Sequence, residues 1–282
     1  MKKNICFIGS GKMAESIING IIMKNIFAKE NIFCLDIDNE RLKIIKNKYN
    51  VKTFNIENII DFFDDKFLYD AVIFLSIKPN NFIDVSKTLK NLFTQKNIDT
   101  KKLFFMSIMA GKRIETITKA LSSENSYIKL IRIMPNTPSL IGEGAIGYSF
   151  SKNIEENEKT LAEKILFSIG ECINVDENDL DAITSLSGSG PAYLFYLAEA
   201  MIESGVNMGL SLEVSKKLTI KTLFGASKML TVSKDSPTIL RKNVTSKGGT
   251  TEAAINYFDE KNMKSIIKEA LSRAQKKSIE LS

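Results

Sequence analysis

Short apolar runs alternate with stretches of helical periodicity through the first 175 residues. Ile5-Cys6-Phe7-Ile8 opens the series, a helical pattern begins near Lys12, and a second apolar run covers residues 31–35. Further strand-like runs fall at 69–76, 102–108, 128–134, 144–150 and 171–175, with helical patterns between most of them. Runs of this length bounded by polar residues read as buried strands. Their alternation with helices predicts an α/β fold built on a parallel, doubly wound sheet. Beyond Val175 the pattern changes: 179–186, 191–208, 212–232 and 263–281 carry helical periodicity and no convincing strand separates them. Two domains are therefore expected, 1–175 built on the sheet and 176–282 all-α.

The helix expected from Pro191 carries Tyr193, Leu194, Phe195, Tyr196, Leu197, Ala198, Ala200, Met201 and Ile202, so apolar residues cover nearly every side. A helix apolar all round must be buried all round, and about 100 residues of helical domain cannot do that alone. A partner subunit is expected.

Composition narrows the chemistry. Of 282 residues, 44% are hydrophobic and 26% charged, the balance of a soluble globular protein. No apolar run approaches the roughly 18 residues of a membrane span, and the one after Lys2-Lys3 is too short for a secretory core, so a cytoplasmic protein is expected. The net charge of +6 comes from dispersed lysines with no basic run interleaved with aromatics, which argues against nucleic acid while still steering an anionic substrate. Cys6, Cys34 and Cys172 are far apart in apolar segments and read as buried free thiols, with no metal site. There is no histidine at all. His-based nucleophile pairs, His-ligated metals and His general acids are thereby excluded.

Gly9-Ser10-Gly11-Lys12-Met13-Ala14 follows the first strand and opens a helix, the context in which a G-x-G-x-x-G/A turn receives a dinucleotide pyrophosphate. Gly9 permits the turn, Gly11 lets the backbone approach the phosphates, Ala14 allows close helix–strand packing, and the helix N-terminus supplies N–H donors. Asp36, ending the second strand, is placed to accept ribose hydroxyls. A 2′-phosphate would meet a like charge there unless Arg41 or Asn39 compensates, so NADH is favoured over NADPH. Ser76-Ile77-Lys78-Pro79 ends another strand at the ligand-binding edge, and Met134-Pro135-Asn136-Thr137-Pro138 does the same with a loop stiffened by two prolines. In the helical half, the small-residue loop Ser187-Gly188-Ser189-Gly190-Pro191-Ala192-Tyr193 and Ser246-Lys247-Gly248-Gly249-Thr250-Thr251 each precede a helix. Backbone N–H groups of a Gly-Gly turn at a helix start cradle a carboxylate.

Taken together and in this order, these motifs resemble the Δ1-pyrroline-5-carboxylate reductase family over essentially the whole chain. The resemblance implies a Rossmann-like N-terminal domain, a helical C-terminal dimerisation domain, and NADPH- or NADH-dependent reduction of the cyclic imine to proline. It implies dimers assembled into rings. Cofactor contacts are implied at Gly9, Ser10, Gly11, Lys12, Met13, Asp36, Ser76, Lys78, Pro79, Ala110 and Asn136. Substrate contacts are implied at Val244, Ser246, Gly248, Gly249, Thr250 and Thr251, the amides around Gly248 to Thr250 taking the carboxylate and the Thr251 hydroxyl bonding the ring nitrogen as the catalytic contact. The family usually has proline between the serine and first glycine of the last loop, where this chain has Lys247. Rival readings are another two-domain imine reductase, a β-hydroxyacid dehydrogenase relative, and a non-catalytic NAD-binding scaffold. Hydroxyacid dehydrogenases of this plan carry a lysine early in the helix after the small-residue loop, and residues 191–201 contain none.

Overall fold

The apolar run behind the two N-terminal lysines forms the central strand β1 (Asn4–Ile8), whose Ile5 and Phe7 face one layer of helices while Cys6 and Ile8 face the other. The period of two along a strand produces that division. The computed structural model describes residues 2–59, 64–122 and 128–281. After β1 come β2 (Ile32–Asp36), β3 (Lys52–Asn55), β4 (Ala71–Leu75), β5 (Phe104–Ser107), β6 (Lys129–Met134), β7 (Gly144–Phe150) and β8 (Gly170–Asn174). They form a sheet ordered β3-β2-β1-β4-β5-β6-β7-β8 among the described residues. Helices α1 (Lys12–Met23), α2 (Asn39–Tyr49), α3 (Asp65–Asp70), α4 (Phe82–Gln95), α5 (Ile114–Leu121) and α6 (Glu156–Phe167) connect the strands. One core layer joins Phe7, Phe74 and Phe104 to Ile17, Ile21, Ile45 and Ile165, and the other joins Ile8, Leu75 and Phe105 to Leu89, Leu92 and Ile117.

Two elements depart from the sequence reading. The strand β3 was not expected: its four residues, Lys-Thr-Phe-Asn, are mostly polar because it lies at the sheet edge, where one flank needs no apolar cover. The six strands from β3 to β6 pair in parallel, but β7 runs antiparallel to β6. Only residues 135–143 join that pair, too few for the crossover a parallel connection demands. With α6 as its crossover, β8 then pairs in parallel with β7.

By contact density the chain divides into two units, one running to Ser189 and resuming at Ala274, the other comprising Gly190–Arg273. After β8 the first unit continues through α7 (Leu180–Ile183) into a π-helical turn, Thr184–Gly188. The expected small-residue loop is therefore helical over its first residues. Gly188 packs against Met134, whose Cε would stand 2.5 Å from a Cβ there. The second unit holds α8 (Gly190–Asn207), α9 (Leu212–Val232), α10 (Pro237–Asn243) and α11 (Thr250–Glu260), and α12 (Met263–Glu280) follows. Gly205 of α8 fits against Ser215 of α9, where a Cβ would meet the hydroxyl at 2.7 Å. Leu194, Phe195 and Tyr196 of α8 are exposed on the single chain, as are Leu218, Phe224 and Leu230 of α9. Cys6 and Cys34 are buried, and burial pushes both thiols up, Cys34 to about 12; Cys172, on the edge strand, is half-buried instead of buried as expected.

Candidate functional site

The register of the central strands brings several loops to one edge. Ile8 lies beside Leu35 and Leu75, and Leu75 beside Ser107, so the segments after β1, β2, β4 and β5 all emerge at the carboxyl end of the sheet. Strand order reverses between β1 and β4, and the crevice of an open α/β sheet opens at such a reversal.

Gly9 has φ of +94°, and a Cβ on it would stand 2.7 Å from the Ser76 carbonyl oxygen, so no other residue fits. Ser76 locks the same corner: its N–H donates to Ile8 O (2.9 Å) and its hydroxyl to Gly9 O (2.6 Å). At Gly11 the opposite holds, because a Cβ there would meet nothing within 4 Å. Helix α1 starts at Lys12 and its first internal bond runs from Glu15 N–H to Gly11 O, which leaves the amides of Lys12, Met13 and Ala14 at an uncapped helix start. An open glycine face over free helical donors fits a pyrophosphate. Asp36, at the tip of β2, accepts from Ser10 N–H (2.7 Å) and Asp38 N–H (3.1 Å), which fixes its carboxylate beside the glycine turn.

Behind this loop lies a clamp the sequence reading missed. The Arg41 guanidinium donates to Ser10 O (2.6 Å) and Gly11 O (3.3 Å) and pairs with Glu15, which also accepts from Lys48 (2.8 Å) and Tyr49 (3.1 Å). Burial pushes the Glu15 carboxyl up, but the bonds from Lys48, Arg41 and Tyr49 and the Arg41 charge prevail and hold it down to about 2. Arg41 is thus committed to the loop's carbonyls instead of a 2′-phosphate, and Asn39 accepts from Asn55 (3.2 Å). Neither helix gave a hint, because a glutamate in the first turn of α1 and an arginine among the polar positions of α2 are each ordinary in sequence.

The remaining candidates on this edge differ in exposure. Lys78 is exposed and precedes the turn Pro79–Asn81, and Ala110 is exposed in the turn after β5. Asn136 is buried, its amide donating to Ser187 O (3.0 Å) and accepting from Ala145 N–H (3.0 Å), so its side chain ties the π-helical turn to the start of β7.

In the second unit, the residues implied for substrate lie in the turn between α10 and α11 and in the first two positions of α11. Val244 is exposed. Thr245 donates its hydroxyl to Arg241 O (2.6 Å), Gly248 takes φ of +74°, and Gly249 N–H donates to Ser246 O (3.1 Å). Gly248 N–H is taken by the chain's own Glu252 carboxylate (2.7 Å), another residue the sequence reading did not single out. The first bond inside α11 is Ala253 N–H to Gly249 O, so the amides of Thr250, Thr251 and Glu252 stand at the helix start. Those amides, with the threonine hydroxyls, are the donors best placed to receive a carboxylate.

Comparison with known proteins follows the same two halves. Residues 177–281 match the family model for the pyrroline-5-carboxylate reductase dimerisation domain, and residues 4–100 match that of the coenzyme F420-dependent NADP oxidoreductases. Pyrroline-5-carboxylate reductase 2 of Bacillus subtilis is 34% identical over 99% of this chain and 95% of its own length. The reductase structure from Coxiella burnetii is 33% identical and superposes with a TM-score of 0.85 over 100% of this chain and 99% of that one. The Plasmodium falciparum pyrroline carboxylate reductase structure with NADP bound is 28% identical, with a TM-score of 0.82 over 100% and 99% of the two chains. No helix among the described residues is long and apolar enough to cross a membrane.

Proposed function

The chain belongs to the pyrroline-5-carboxylate reductase family, and from that premise we propose that it reduces pyrroline-5-carboxylate to proline with NAD(P)H. The observation that carries this reading is the full-length match to reductases in a chain that keeps both working turns, the glycine loop before α1 and the Gly-Gly-Thr-Thr start of α11. Bound NAD(P)H supplies a hydride for the imine carbon.

The protein's own residues do the rest by holding groups in place. Gly11 and the first amides of α1 bind the pyrophosphate, and Asp36 takes the adenosine ribose hydroxyls, which favours NADH over NADPH. Ser76, Lys78, Pro79, Ala110 and Asn136 line or support the nicotinamide side. The amides of Thr250 and Thr251, with Ser246, Gly248 and Gly249 shaping the turn and Val244 beside it, hold the substrate carboxylate. The Thr251 hydroxyl bonds the ring nitrogen, orienting it and relaying the proton it gains as the imine becomes an amine. A hydroxyl is too weak an acid to do more, so catalysis rests on orientation, which supplies about 7–11 kcal/mol in favourable cases. That suits a chain without histidine. Self-association follows from the dimerisation domain. A ring of such dimers, working in the cytoplasm with neither nucleic acid nor membrane as partner, completes the reading.

The test is a 340 nm assay with pyrroline-5-carboxylate and each cofactor, with a β-hydroxyacid plus oxidised cofactor run beside it. Consumption of reduced cofactor with stoichiometric proline is the expected result. Cofactor binding without turnover would instead identify a scaffold, and turnover of the hydroxyacid alone a dehydrogenase.

A further inference from the structure

Four separated stretches of the first unit meet in a partly buried ion network beside the turn that follows β5. Arg132 of β6 and Asp181 of α7 are 4% and 2% exposed. Arg132 donates to Glu177 (3.2 Å) and lies 3.8 Å from Asp181. Arg113 donates to Asp181 (3.2 Å) and Asn178 (3.0 Å), and the N–H of Ile114 donates to Glu177 (2.7 Å). The fourth stretch is the end of α12, where the buried Ser278 hydroxyl donates to the second Asp181 oxygen (2.7 Å). Three residues on, the Leu281 carbonyl covers Gly111: a Cβ there would stand 2.7 Å from Leu281 O, and φ is +71°.

The turn held by these contacts is fixed at both ends. Ile108 N–H donates to Leu75 O (3.1 Å) and Met109 N–H to the Ser107 hydroxyl (3.3 Å), while Arg113 and Ile114 enter the network. At its crest Ala110 is exposed and Gly111 lies under Leu281. A dinucleotide whose adenosine ribose sits at Asp36 of β2 and whose pyrophosphate crosses α1 has its nicotinamide end over β4 and β5, where this turn stands. Burying Arg132 and Asp181, with Arg113 and Glu177 half-buried beside them, carries a desolvation cost that apolar residues would avoid. What charges supply in return is defined geometry.

We propose that the turn at 278–281 is a clamp on the 109–113 loop, and that Asp181, Ser278 and Leu281 act through that loop as positioning residues for the nicotinamide half of the cofactor site. The proposal rests on the reductase reading for its cofactor but not for its substrate, so it is tested by binding alone. In the full chain, Ser278→Ala and, separately, a chain ending at Glu280 are titrated with NADH and NADPH, followed by cofactor fluorescence, and with ADP, which offers only the adenosine half. Either change should weaken both reduced cofactors about fivefold, the size of one net hydrogen bond, while ADP affinity stays within twofold and Ser278→Thr restores binding. Ending the chain at Glu280 should also relieve part of the loss caused by Gly111→Ala, since the carbonyl that the new Cβ meets is gone. Equal weakening of ADP and the reduced cofactors, or a lowered melting temperature with unchanged affinities, would overturn the proposal and leave a structural staple. If Ser278→Ala does not fold, the chain ending at Glu280, which retains every ion of the network, decides the matter by the same comparison. Binding of neither ADP nor reduced cofactor by the unaltered chain would instead mark failure of the reductase reading.

Discussion

Replacing Arg41 by methionine removes the guanidinium that holds the glycine loop and Glu15 together while keeping most of the aliphatic stem. The Glu15 carboxyl lies at about 2 against an ordinary 4.5, with burial opposing the drop and Lys48, Arg41 and Tyr49 producing it. At about 1.4 kcal/mol per pH unit, that difference amounts to about 3 kcal/mol of stability shared among those partners. Arg41 contributes both a hydrogen bond and a charge, so its share is about half. Its two bonds to the Ser10 and Gly11 carbonyls add to that. The expected loss for Arg41→Met at pH 7 is therefore about 2–3 kcal/mol, in the range for breaking a largely buried, charge-assisted contact.

The pH dependence gives a sharper check. A carboxyl whose folded-state value is depressed stabilises the fold above its unfolded value and loses that contribution as pH falls through the folded value. For Glu15 the window runs from 4.5 down to about 2. Wild-type stability should fall across it, and the variant, whose Glu15 returns toward the ordinary value, should fall less. Urea unfolding at one fixed protomer concentration, required because association contributes to stability, should show the gap at pH 7 narrowing at about pH 2.5. The KM for cofactor should rise severalfold as the loop loosens. A gap below about 0.5 kcal/mol at pH 7, within the range of an ordinary surface change, or one that does not narrow in acid, would refute the reasoning.

Other expectations concern the two ends of the reaction and the assembly. Asp36→Ser should lower the NADH-to-NADPH ratio of kcat/KM by about tenfold, from removal of a charge beside the ribose; an unchanged ratio would put cofactor preference elsewhere in the turn to Arg41. Thr251→Val keeps the shape and deletes the hydroxyl, so kcat/KM for pyrroline-5-carboxylate should fall about tenfold or more with cofactor affinity unaltered, and full activity would reduce Thr251 to the start of a helix. Glu252→Ala releases the bond that holds the left-handed turn at Gly248, so KM for substrate should rise about threefold, somewhat less than one net hydrogen bond; a lowered KM would show that the charge beside the incoming carboxylate outweighs the restraint on the loop. Phe195→Asp, on an apolar face that the single chain leaves exposed, should give insoluble or unfolded protein, and a soluble, well-folded monomer by light scattering would contradict the helical dimer.

The parts of this fold legible in sequence were those that local periodicity encodes. The apolar runs of β1, β2, β4 and β5 had to be strands because they are buried on both faces, and a run without polar relief reads the same from either side. The edge strand β3 had no such run, and the reversed β7 was visible only through the length of its connection. At the site, the glycine turns were legible because positive φ at Gly9 and Gly248 demands the residue type that marks them. The clamps were not. Glu15 with Arg41, Asn136 with Ser187, and Asp181 with Ser278 join residues 26, 51 and 97 positions apart, and no local pattern marks one partner as belonging to the other.

The substitution of Lys247 for the family's usual proline shows how one such unseen contact bears on function. Proline at a compatible position stabilises a loop by about 0.4–1 kcal/mol, mainly by restricting the unfolded chain, and its loss would be felt where substrate carboxylate must be held still. Here Lys247 is exposed, and the restraint comes from hydrogen bonds on either side of it. Thr245 is tied back to Arg241, Gly249 closes on Ser246, and Glu252 reaches back to the Gly248 amide. One net hydrogen bond of this kind is worth about as much as the missing ring. The charge-assisted bond from Gly248 to Glu252 is the strongest of the three in kind, and it acts on the residue whose left-handed backbone turns the chain toward α11. A carboxylate on the third residue of this helix thus offsets the flexibility that Lys247 introduces, and it does so at the site where a second carboxylate, the substrate's, must later be admitted.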